Sequence, residues 1–67
     1  MNSGKMTGVE RTILAKAIQK LNEVYTQGRG QSLTEDETTL FNYWKERGKV
    51  RVIGPARFGE IYAMVEE

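Results

Sequence analysis

Apolar residues in the first part of the chain recur at spacings of three and four: Val9, Ile13, Leu14, Ala17, Ile18, Leu21, Val24 and Tyr25. That period is helical. Thr7-Gly8-Val9-Glu10 has capping-box spacing, in which the threonine hydroxyl accepts from the third backbone N–H and the glutamate reaches back. Gly28 follows the last turn and can take the left-handed conformation that closes a helix. Together these predict a helix over residues 8–27. At about 100° per residue its apolar positions cover an arc of roughly 180°, wider than one neighbour requires. The pattern therefore predicts a central helix that touches more than one element, with Val9 and Ile13 or Val24 and Tyr25 left under-covered wherever it overhangs a shorter partner.

A polar, glycine-rich turn, Gln27-Gly28-Arg29-Gly30-Gln31, leads to Ser32-Leu33-Thr34-Glu35-Asp36-Glu37. Both Ser32 and Thr34 have a glutamate three residues later, so a second helix is predicted over 34–47. Its acids fall in the first turn and Lys45 and Arg47 in the last, as the helix dipole favours. Leu40, Phe41 and Trp44 form its apolar stripe, with Thr38, Asn42 and Glu46 opposite.

The C-terminal third carries two patterns. Lys49 to Ile53 alternates and is rich in β-branched residues, which reads as an extended segment. Pro55 then suits the first position of a helix, and Phe58, Ile61, Tyr62 and Val65 follow at i, i+3, i+4 and i+7. The expected third helix covers 56–66. The fold class this implies is all-α, a helical hairpin closed by a short third helix. The alternative is α+β, two helices followed by a C-terminal β-hairpin of 49–53 with 60–65.

Length confines this to one small domain, since 67 residues leave no room for a second core. Residues 1–6 are expected to be a disordered N-terminus. A composition 39% hydrophobic and 28% charged with a single proline is that of a folded chain. The longest apolar run, Ile61 to Val65, is too short for a signal peptide or a membrane span, and the absence of cysteine fits a reducing, cytoplasmic setting.

Chemistry is sparse. Without histidine or cysteine the chain lacks the commonest general base, the commonest nucleophile and most zinc or iron ligand sets. Glu35, Asp36 and Glu37 point in three directions on one turn, so they are assigned to helix capping and not to a metal. No enzyme, cofactor or metal site is expected. Leu33-Thr34, Glu37 and Leu40, then Gly48 and the β-like Val50 to Val52, is similar in outline to the opening of a winged-helix domain. The helix that enters the major groove in that family has no counterpart in these 67 residues, and no family is assigned.

Recognition chemistry remains. Net charge is +1, but Lys45, Arg47, Lys49, Arg51 and Arg57 against Glu46 alone make 45–57 net +4. The function expected first is a non-enzymatic protein-binding module, an adaptor or inhibitor that covers a surface of a larger protein, alone or as a homodimer. Its contact residues would be Val9, Ile13, Val24, Tyr25, Tyr43, Arg47 and Arg51. The alternative is a nucleic-acid-binding regulator, in which Lys45, Arg47, Lys49, Arg51 and Arg57 neutralise phosphates beside aromatic rings. The thin margin that so short a chain can bury is the reason for considering a dimer.

Overall fold

The computed structural model describes residues 6–65 and contains two helices followed by a two-stranded antiparallel sheet. Helix α1 runs Gly8–Gln27 and helix α2 runs Glu35–Glu46. Both N-termini carry the complete capping box, Thr7 with Glu10 and Thr34 with Glu37. Gly28 closes α1 in the left-handed conformation, φ 79°. An added Cβ at Gly28 would also lie 2.9 Å from the Phe58 ring, so both backbone and space require glycine there.

The third element departs from the expected helix over 56–66. Strand β1 spans Val50–Ala56 and strand β2 spans Gly59–Met64, paired in the register Val50↔Met64, Val52↔Tyr62 and Ala56↔Gly59. The α+β alternative therefore describes the fold, with the hairpin longer than the 49–53 and 60–65 expected. The reason is backbone pairing. A lone extended 49–53 would leave its N–H and C=O groups without partners, and the only chain at hand is the segment that follows. Pro55, read as a helix start, instead sits in an edge strand opposite Glu60, where a missing N–H is tolerated. The register slips between Val52 and Gly54, leaving Ile53 as the extra residue of a bulge.

The core consists of Leu14, Ala17 and Ile18 from α1, Phe41 and Trp44 from α2, and Val50 and Tyr62 from the hairpin. Leu21, Tyr25, Leu33, Leu40, Met64 and Met6 pack around it. Met6 thus lies against the core, and the rest of the expected disordered N-terminus, residues 1–5, falls outside the described residues. The wide arc on α1 is used as its width implies, with α2 on one side and β2 on the other. Of the two ends where an overhang was expected, the one at Val24 and Tyr25 is closed by the hairpin turn. Phe58 N donates to Tyr25 O at 2.7 Å, and Gly59 lies so close to the Tyr25 ring that an added Cβ would be 2.6 Å from Cδ1.

Candidate protein-binding surface

A two-stranded sheet has two outer edges, and here they differ. Val65 N donates to Lys49 O at 2.8 Å, which makes Lys49 and Val65 a hydrogen-bonded pair. Antiparallel pairs alternate, so the backbone groups of Val50 and Val52 on β1, and of Tyr62 on β2, point away from the partner strand. On β2 the groups of Tyr62 are taken, on the side where α1 packs. The Asn22 side chain donates from Nδ2 to Tyr62 O and accepts at Oδ1 from Tyr62 N, both at 2.9 Å. One amide of α1 thus imitates the next strand. On β1, no hydrogen bond reaches Val52 from outside the hairpin among the described residues, and Val52 and Ile53 are 43% and 61% exposed.

Basic residues lie on this strand and on the elements that flank it. Arg51 alternates with the buried Val50 and so lies on the other face of the hairpin, exposed and without an acidic partner among the described residues. Lys45 Nζ lies 5.2 Å from the centre of the Tyr62 ring and 5.8 Å from that of Phe41. Arg47 stacks on Tyr43 at 4.3 Å, one helical turn away on the exposed side of α2. Arg57 lies 5.6 Å from the Phe58 ring at the hairpin tip.

The structure distributes the expected contact residues unevenly. Tyr43, Arg47 and Arg51 are exposed and lie around the C-terminus of α2 and the start of β1. Ile13, Val24 and Tyr25 are half-buried, and Tyr25 is committed to the hairpin turn and to Tyr62 at 6.2 Å between ring centres. Val9 is 71% exposed on the first turn of α1, apart from the others. Of the residues expected to meet phosphate, Lys45, Arg47 and Arg51 are exposed and Lys49 half-buried at one end of the hairpin, while Arg57 lies at the other. Seven residues of β1 separate the two groups by roughly 20 Å.

Comparison with family models, with curated proteins and with solved structures found no match. Local geometry alone therefore bears on function.

Two polar features belong to the fold and not to a site. Glu37 is buried, and its Oε1 accepts from both Lys20 Nζ and Thr34 N at 2.8 Å. The Lys20 hydrogen bond first, and then that of the Thr34 backbone, hold the Glu37 carboxyl below its ordinary pKa against the opposing effect of burial. A shallow depression lined by Lys16, Gln19, Lys20, Glu23 and Gln31 lies beside this pair, open to solvent and with the Lys20 ammonium already engaged. The Asn22 amide and the Lys20–Glu37 pair were missed from sequence. Asn22 was detectable as a polar side chain at i+4 from Ile18 and i−3 from Tyr25, on the arc otherwise given to apolar residues.

Proposed function

We propose that this chain is a non-enzymatic protein-binding module, an adaptor or inhibitor, that engages a larger protein along the open side of its hairpin. The observation that carries this reading is the asymmetry of the sheet: Asn22 closes the β2 edge, while the β1 edge presents Val52 and Ile53 to solvent. Unpaired strand edges with exposed apolar side chains favour association with another chain. Arg51 lies on this strand and the Tyr43–Arg47 stack at the end of α2 that leads into it, and arginine and tyrosine are enriched at the centres of protein interfaces.

A phosphate-binding role is less well supported, because Lys45, Arg47 and Arg57 each lie against a ring of this same chain and are spread along the hairpin. Recovery of partners from host extract with tagged protein, with and without nuclease, separates the two. The expected result is a nuclease-resistant partner that is lost with Ile53→Asp. Nuclease-sensitive recovery that survives Ile53→Asp but fails with Arg51→Gln and Arg57→Gln would overturn the protein-binding reading in favour of nucleic acid.

A further inference from the structure

We infer that the β1 edge takes an extended, acidic segment of another protein as a third strand beside Arg51–Ile53. This rests on the protein-binding reading above and adds the chemistry of the partner.

Three observations combine. First, the sheet has its uncovered side at β1, because α1 packs against β2. The Tyr62 N–H and C=O that a strand on the far side would use are held by Asn22. Second, the usable edge is short. The outward groups of β1 fall at Val50, which is buried in the core, and at exposed Val52, while Ile53 bulges and Pro55, paired with Glu60, has no N–H to give. An added strand therefore pairs over about three or four residues, and side chains must supply the remaining affinity.

Third, those side chains would meet positive charge. On an added strand the residue opposite Arg51 lies on the same face as Arg51, within cross-strand reach of its guanidinium. The residue opposite Val52 falls on the other face, where Tyr62 is the cross-strand neighbour of Val52 and Lys45 Nζ sits over the Tyr62 ring. Carboxylates at either position complement the edge. Lysines there would be repelled.

Charge also decides between a foreign segment and a second copy. Copies paired edge to edge through β1 would bring Arg51 and the neighbouring bases of one chain against those of the other, since 45–57 contains no acid besides Glu46. Among the described residues, Glu10 and Glu23 are in α1, Glu35, Asp36, Glu37 and Glu46 are in α2, and Glu60 is in β2, already paired with β1, so none lies on a strand free to be added. The occupant is thus a different chain, extended and acidic.

The probes are two dye-labelled octapeptides, one alternating valine with glutamate and one alternating valine with lysine, followed by fluorescence anisotropy on the full chain. The valine–glutamate peptide should bind saturably, and the lysine peptide at least about fivefold more weakly, the scale set by cross-strand charge pairs. Arg51→Glu should reverse the preference. Because Arg51 is exposed and has no acidic partner among the described residues, the variant keeps its fold, checked by the near-ultraviolet signal of buried Trp44. Amide exchange at Val52 should slow on binding, and a glutamate peptide N-methylated at alternate residues should fail to bind.

Equal binding of both peptides, an unreversed preference in Arg51→Glu, or no saturation by about 1 mM would overturn the proposal. So would a dimer abolished by Ile53→Asp, which would make a second copy the occupant, or displacement of the peptide by a short oligonucleotide at equal concentration. Failure of the peptides with continued loss of a nuclease-resistant partner in Ile53→Asp would remove the acidic strand and leave the protein-binding reading intact.

Discussion

Asn22 is the residue whose single side chain most determines what the hairpin presents. It forms both hydrogen bonds that a neighbouring strand would offer Tyr62, across a sequence separation of 40 residues. Asn22→Ala removes both and exposes the β2 edge, at an expected cost of about 1–3 kcal/mol. Chemical denaturation should show a lower midpoint, and the variant should aggregate more readily than wild type, because two edges are then open. An unchanged midpoint would mean that water replaces the amide without loss. Glu37 gives a second prediction at this scale. Its folded pKa is depressed, so its contribution to stability is present above the ordinary carboxylate pKa and is lost as pH falls through the folded value. Wild type should therefore exceed Glu37→Gln in stability at neutral pH, and the gap should close on acidification below the ordinary carboxylate range. A gap that stayed constant down to the lowest pH would deny the Lys20 and Thr34 contacts their role.

Between elements, the decisive contact is that of the hairpin turn with the end of α1. Gly59→Ala would place a Cβ 2.6 Å from Tyr25 Cδ1 and 2.7 Å from Cγ, so the turn or the ring must move. The expected loss is about 1–3 kcal/mol, the usual range for forced overpacking, read as a lower thermal midpoint. Tyr25→Ala in the same background should recover part of it. The helices, 20 and 12 residues of 67, occupy fewer than half the chain, so far-ultraviolet circular dichroism should show helix below one half and not the larger share a third helix would give. Both helices were legible because their caps and periods agree: 8–27 matches α1, and 34–47 extends α2 by one residue at each end. The C-terminal third misled because Phe58, Ile61, Tyr62 and Val65 happen to keep helical spacing, yet of these only Tyr62 is buried. Ile61, Ala63 and Val65 stay half-exposed on a thin sheet, a result that period counting takes for a core stripe. Capping correctly explained Glu37, whereas its Lys20 partner, on the other helix, left no local signal. The basic segment was visible as composition, but its open edge follows from strand pairing that no local pattern specified.

The molecule as a whole is α1 held between α2 and the hairpin, and this changes the case for self-association. Val24 and Tyr25, at one of the two ends where an overhang was expected, are half-buried, and among the large apolar residues of α1 only Val9 remains largely exposed. Light scattering coupled to size exclusion over about a hundredfold range of concentration should give one monomeric mass and a concentration-independent thermal midpoint. A mass that rises with concentration, and falls again with Ile53→Asp or Val9→Glu, would identify the paired surface. Trp44, the single tryptophan, is 3% exposed, and its indole N–H has no acceptor among the described residues. Its emission should accordingly be blue-shifted when folded and move to longer wavelength in one step with global unfolding. The same signal makes folding kinetics accessible. Helices α1 and α2 are consecutive and meet through a short connection, whereas β2 must return to α1 over the 40 residues that separate Asn22 from Tyr62. Closing that loop costs chain entropy before any contact offsets it. Docking of the hairpin onto α1 should therefore follow the helical pair, so that Asn22→Ala leaves the refolding rate nearly unchanged and accelerates unfolding. The amide that seals the sheet would then act as a late kinetic latch, setting how long the β1 edge persists in its native form between openings.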